Sequence, residues 1–166
     1  MPQAERRRFD GRAWLVLAGF VAPCVVVSAL GGLATQSSVK SWYPTLAKPG
    51  FNPPDWVFAP VWSALYLMIA LAGFRVWWRA GFGEQTRAAF AVYGLQLALN
   101  LLWSVLFFGL REVGWALVEI VFLAAAIAVN IHLFRRHDAW AAFLLLPYLT
   151  WVMFATLLNG QLWRLN

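Results

Sequence analysis

Five stretches of this chain are each apolar over about 20 residues, the length at which a helix crosses the hydrocarbon of a bilayer. They run from about Ala13 to Ala34, Ala59 to Trp78, Arg87 to Leu110, Val113 to Phe134 and Ala139 to Trp163. Hydrophobic residues make up 62% of the 166 positions and charged residues only 12%. A soluble domain of this size cannot hide so much apolar surface, so the surplus faces lipid. The spacing predicts an all-α integral membrane protein, a single domain spanning residues 1–166 and built as an up-and-down bundle of five transmembrane helices. Only a few residues join the third, fourth and fifth segments, which makes them antiparallel neighbours. Pro60 falls in the first turn of the second helix, where its missing amide does no harm. Pro23 lies inside the first helix and is expected to kink it, and Gly31-Gly32 to weaken its end.

The charges read as topology signals. Their net of +6 flanks the apolar segments, which argues against nucleic acid as a partner. Arg6, Arg7, Arg8, Arg12, Arg75, Arg79, Arg87, Arg135 and Arg136 fall on one side, and Lys40, Lys48, Arg111 and Arg164 on the other. That bias places the N-terminus in the cytoplasm and the first loop outside. Arg75 lies close enough to the membrane for its side to be arguable. The run Arg6–Arg8 before a long apolar stretch has the layout of a secretory signal, but no A-x-A site follows, and Pro23 precedes Cys24 where a lipoprotein site would be. The reading is an uncleaved first helix with a basic flank. Cys24 is the only cysteine, so no intrachain disulfide forms and the redox compartment is not legible. The choice between an inner and an outer membrane stays open.

The loop between the first two segments, from Trp42 to Trp62, is not an ordinary polar connection. Pro44, Pro49, Pro53, Pro54 and Pro60 stiffen it, and Trp42, Tyr43, Phe51, Trp56 and Phe58 make it aromatic. Neither a continuous helix nor a central strand runs through such a segment. It is expected to form a stiff cap against a membrane interface, a pocket, or both.

Helical spacing groups the remaining chemistry into stripes. Phe58, Trp62 and Tyr66 stand four apart on the second helix. Gln96, Asn100 and Trp103 share a face of the third, with Phe107 following. Trp115 and Glu119 are one turn apart on the fourth, and Tyr148, Trp151 and Ala155 form a line on the fifth. Buried amides and carboxylates normally face the interior of a membrane bundle, so converging stripes would line an aromatic cavity open toward the Pro/Trp loop. The plainer reading makes the aromatic residues interfacial belts and Gln96 and Asn100 interhelical hydrogen-bond glue. Glu119 is a candidate ion, proton or ligand site, or a carboxylate that simply snorkels or pairs. His132 and His137 lack the partners of a metal site. Neither a Ser/His/Asp set nor a phosphate-binding glycine loop is present, and no catalytic residue is assigned.

Several blocks resemble the TspO/MBR family of tryptophan-rich sensory proteins and translocator proteins, the latter once called peripheral benzodiazepine receptors. They are Trp42-Tyr43, Leu46-Ala47-Lys48-Pro49, Asn52-Pro53-Pro54, Pro60-Val61-Trp62, Gln96-Leu97-Ala98-Leu99-Asn100, Trp103, Phe107-Phe108-Gly109, Gly114-Trp115-Ala116-Leu117, Pro147-Tyr148-Leu149, Trp151 and Phe154-Ala155-Thr156-Leu157-Leu158-Asn159. The resemblance covers nearly all of the chain from Trp14 onward. It implies a cavity beneath the first loop that binds tetrapyrroles such as protoporphyrin IX and haem, benzodiazepine-type and isoquinoline-carboxamide drugs, and in some members sterols. No cofactor is required; the tetrapyrrole is a ligand. Tyr43, Pro53, Trp115 and Ala155 match positions the family uses around its ligand. Trp62 and Trp151 match the tryptophans associated with porphyrin binding and with light-dependent porphyrin degradation, and would carry that oxidation if it occurs. Members commonly form homodimers, and Gly94-x-x-x-Ala98 permits close approach of two helices within membrane lipid.

One departure bears on the ligand. The fifth helix ends Leu157-Leu158-Asn159-Gly160-Gln161-Leu162-Trp163-Arg164, without the Tyr that the eukaryotic sterol-recognition pattern requires, which counts against high-affinity sterol binding and toward a bacterial protein. The expected function is that of a tetrapyrrole-binding sensor or regulator of porphyrin and stress metabolism. The alternatives are a transporter of porphyrins or other small hydrophobic molecules, for which no inverted repeats are visible, and light-dependent porphyrin degradation.

Overall fold

The computed structural model describes residues 10–166, so Arg6, Arg7 and Arg8, with the basic flank they would form, lie outside the described residues. Five helices follow in order: α1 (Gly11–Ser41), α2 (Phe58–Ala80), α3 (Glu84–Ser104, extended by a π-helical turn at Val105–Gly109), α4 (Val113–Arg135) and α5 (Ala139–Leu165). All five are long and apolar enough to span a bilayer. Packing runs α1 to α2, α2 to α5, α5 to α4, α4 to α3 and α3 back to α1, which closes a ring in which α2 and α3 scarcely touch.

Helix ends follow local chemistry. The Asp10 carboxylate accepts from the Ala13 amide at 3.0 Å and caps α1. The α2–α3 turn uses Gly81, whose φ of 72° favours glycine, and the Thr86 hydroxyl, which bonds Gly81 and Gly83. Where α1 crosses α2, a Cβ on Gly73 would lie 2.6 Å from the Phe20 ring. That ring is itself held among Phe82, Phe90 and Tyr93. Glycine at 73 therefore sets how closely the two helices approach.

Two boundaries differ from the sequence expectation. The first helix runs through Pro23 and past Gly31-Gly32 to Ser41. Tertiary contacts outweigh weak propensity here: Gly31 sits against Ser104, and the Ser38 hydroxyl donates to the Phe108 carbonyl at 2.5 Å. The third helix leaves α geometry at Val105, and its π turn ends where the Leu110 amide bonds the Val105 carbonyl at 2.8 Å. Arg111 follows with φ 60°, reversing the chain into α4.

At the opposite end Asp138, 6% exposed, joins α2 to the start of α5. Its Oδ1 caps α5 by accepting from the Ala141 amide at 2.8 Å, while Arg75 and Arg79 of α2 reach its carboxylate at 2.9 and 3.2 Å. This places Arg75 at the same end of the bundle as Arg79. Burial alone would raise the Asp138 carboxyl, but Arg75, the Ala141 amide and Arg79 outweigh it and hold the group below its ordinary value. Because the folded pKa is depressed, the stabilisation is complete above the ordinary value and fades as pH falls through the folded one. Asp138→Ala, which loses cap and ion pairs together, should cost roughly 3 kcal/mol, at the low end for a broken buried pair because both arginines are partly exposed. Asp138→Asn keeps a competent cap and should cost less. Thermal unfolding in detergent between pH 7 and pH 3 checks both: the wild type should lose its advantage over Asp138→Asn at the acid end.

Candidate functional site

The loop between α1 and α2 folds over one end of the ring. Its backbone makes short 3₁₀ turns at Tyr43–Thr45 and Asp55–Val57, the compact geometry expected of a proline-rich segment. Tyr43 is buried and its hydroxyl donates to Asn52 Oδ1 at 2.8 Å, bridging the loop to itself. The Asn52 amide nitrogen in turn donates to the Pro53 carbonyl at 3.0 Å. Rings fasten the loop to the helices beneath: Trp42 meets Phe107 at 5.8 Å, Tyr43 meets Phe108 at 5.8 Å and Phe51 meets Phe154 at 6.3 Å. From α5, the Asn166 side chain bonds both backbone groups of Ala47, at 2.9 and 3.1 Å.

Under this lid lies a cavity of about 370 Å³. Phe58, Trp62 and Tyr66 line it from α2, Trp103 and Phe107 from α3, Trp151, Ala155 and Asn159 from α5, and Tyr43 from above. The side toward α1 is made of small residues, Ser28, Gly31, Gly32 and Thr35. The rings pack in pairs: Phe58 meets Trp151 at 5.9 Å, Trp62 meets Tyr66 at 5.6 Å, and Trp103 stacks on Phe107 at 5.2 Å. The π turn brings Phe107 and Phe108 up against Trp103 and the lid, which an uninterrupted α-helix would not do in the same register.

The polar groups form a layer behind the rings. Tyr66 donates to Asn100 Oδ1 at 2.6 Å, and Asn100 Nδ2 donates to the Tyr148 hydroxyl at 3.1 Å. The Trp103 indole donates to Asn159 Oδ1 at 3.1 Å, and Asn159 Nδ2 to the Val113 carbonyl at 2.9 Å. Each of these bonds joins different helices, so the network fixes the aromatic wall in position.

The structure thus brings Tyr43, Phe58, Trp62, Tyr66, Trp103, Trp151 and Ala155 to one cavity. Asn100 and Tyr148 stand directly behind them, and Pro53 lies in the lid. Gln96 and Glu119 are buried away from the cavity, and among the described residues their side-chain polar atoms have no hydrogen-bond partner. Trp115 departs from the expected pattern. It is 67% exposed, whereas Glu119 is 7% exposed. A four-residue step rotates about 40° around a helix, enough near the start of α4 to turn Trp115 outward while Glu119 points in.

The stripe of the third helix already carried Phe107, but sequence reasoning missed Asn159, Phe108 and the α1 wall as parts of the lining. Asn159 carried a signal, since it continues the Trp151–Ala155 line by one further turn. Gly31-Gly32 was read only as a helix-weakening pair. No three His, Cys, Asp or Glu side chains converge as metal ligands among the described residues. The arrangement can bind a flat apolar molecule by stacking, shape and exclusion of water.

Tyr43 tests the lid. Burial first, then the nearby Asp55 charge, raise its hydroxyl above the ordinary value, with Asn52 opposing, so it remains a donor throughout neutral pH. Tyr43→Phe should lower unfolding stability by about 0.5–1.5 kcal/mol through the lost bond. Hydrogen exchange at loop amides should quicken, while exchange in α4 stays unchanged.

Residues 20–164 match the TspO/MBR family. The translocator protein of Sus scrofa is 38% identical over 158 residues, covering 92% of this chain and 91% of its own. The tryptophan-rich protein TspO of Archaeoglobus fulgidus is 38% identical over 152 residues, with 92% and 97% covered. The tryptophan-rich sensory protein of Cereibacter sphaeroides is 37% identical over 153 residues, with 92% of each chain covered.

Proposed function

The chain belongs to the TspO/MBR family, and from that premise we propose that it is a membrane receptor for tetrapyrroles such as protoporphyrin IX or haem. It is an integral, multi-pass membrane protein. In the proposal it acts as a sensor or regulator in porphyrin and stress metabolism, with the N-terminus cytoplasmic and the lid on the outer face. The observation that carries the reading is the capped cavity in which Trp62 and Trp151 stand on adjoining walls, faced by the small residues of α1. A flat macrocycle meets ring surface on one side and glycine backbone on the other, and the lid excludes water from it. Burying roughly 500 Å² of ligand at ~25 cal/mol/Å² gives about 12 kcal/mol gross, and association costs of several kcal/mol reduce that to micromolar binding.

Isoquinoline-carboxamide and benzodiazepine-type drugs, flat and largely apolar, would compete for the same surface. We also propose a homodimer through α3, where Gly94 and Ala98 are exposed and a Cβ on Gly94 would meet open space.

Replacing Trp62 or Trp151 by Ala should weaken protoporphyrin IX binding by about 1–3 kcal/mol, the range found for bases stacked on aromatic side chains. Phe at either position keeps a ring and should retain most of the affinity. Trp140 is 64% exposed and remote from the cavity, so Trp140→Ala is the control. Fluorescence-quenching titration of variants with unchanged thermal stability reads the outcome. Equal losses at all three positions would remove the basis for the cavity assignment.

A further inference from the structure

The walls of the cavity are unequally enclosed. Its lining from α3 and α5 is buried or half-buried throughout, whereas Ser28 and Gly32 of α1 and Ala59 and Ser63 of α2 line the cavity and are themselves exposed. Both pairs lie within membrane-spanning helices. Gly32 stands nine residues before the end of α1, about 14 Å along the axis at 1.5 Å per residue. A Cβ built on it would meet no atom within 4 Å. At that depth the medium outside Gly32 and the deeper Ser28 is hydrocarbon, whereas Ala59 and Ser63 stand in the first two turns of α2, nearer the lid. The lid, in contrast, is fastened by the Tyr43–Asn52 and Asn166–Ala47 bonds and by three ring contacts. Its edge at the cavity carries the exposed carboxylate of Asp55, which repels an anionic ligand approaching from water.

We propose that the cavity is loaded sideways from the bilayer, through a slot between α1 and α2 bounded by Ser28, Gly32, Ala59 and Ser63, while the lid stays shut. The proposal rests on the ligand-binding reading above and adds its route and reservoir: the ligand class is flat, apolar molecules already dissolved in lipid. Small side chains at the slot let a planar molecule pass edge-on without displacing a helix. The exposed hydroxyl of Ser63 bonds the Ala59 carbonyl of its own helix at 2.8 Å, so no polar group there has to be stripped of a partner as the ligand passes. Lipid tails occupy the slot when the cavity is empty.

The test is stopped-flow binding of protoporphyrin IX to the full chain in phosphatidylcholine nanodiscs. Gly32→Trp narrows the slot from α1, and Ser63→Phe narrows it from α2, so that one variant serves if the other fails to fold. Each should slow association and dissociation severalfold together, because a narrowed passage raises the barrier in both directions equally; both residues also line the cavity, so a change in Kd reports altered binding and the slowing shared by the two rates reports the passage. Trp140→Ala, remote from the slot, should behave as wild type, and so should Asn166→Ala, which loosens the lid. Unchanged rates in both slot variants would overturn the proposal, as would faster exchange in Asn166→Ala. Should the wild type bind no protoporphyrin IX, the binding reading fails first and the route falls with it.

Discussion

A bilayer core offers no hydrogen bonds, so every backbone polar group placed there must find its partner inside the protein. Much of this architecture follows from that constraint. The backbone is helical wherever it crosses the membrane, and the one long non-helical segment is confined to an end of the bundle. Three side-chain amides within the helices hold helices together: Asn100 on Tyr66 and Tyr148, Asn159 on Trp103 and Val113, Asn130 on the Ala89 carbonyl. The cavity presents a mostly aromatic and apolar surface to whatever enters it, with Ser28, Thr35, Asp55, Ser63 and Asn159 also on its lining.

The same constraint explains why the site is positioned rather than merely present. Trp103 is fixed through its indole, Tyr66 through its hydroxyl, and Phe107 by the π turn, each from an element that also packs the ring of helices. The lid closes the end by aromatic contacts and two side-chain clips. The opposite end is closed by Asp138, which links α2 to the start of α5. Between these two fastened ends, Ser28 and Gly32 of α1 and Ala59 and Ser63 of α2 line the cavity and are exposed.

Much of the fold was legible because membrane helices announce themselves by length and apolarity alone. The five spans and the interrupted loop followed from length and composition; that Trp62, Trp103 and Trp151 meet at one cavity was one of two readings the spacing left open. What was not legible depends on contacts between distant segments. Nothing local in Val105–Gly109 marks a π turn; it forms where Phe107 and Phe108 meet Trp42, Tyr43 and Trp103. The pair Gly31-Gly32 looks like a helix end until Ser104 and Phe108 are seen to hold α1 beside α3. Trp115 and Glu119 stand one turn apart, but Trp115 is exposed and Glu119 buried, since a four-residue step still turns about 40° around the helix.

The central claim is that an enclosed aromatic cavity, rather than the apolar exterior, takes up a tetrapyrrole. Absorbance titration of the purified protein in nanodiscs with protoporphyrin IX, run beside empty nanodiscs, tests it most directly. The account predicts a saturable change in the Soret band at one ligand per chain, reversed by an isoquinoline-carboxamide competitor. A response that rises without saturation and matches that of the empty nanodiscs would contradict it.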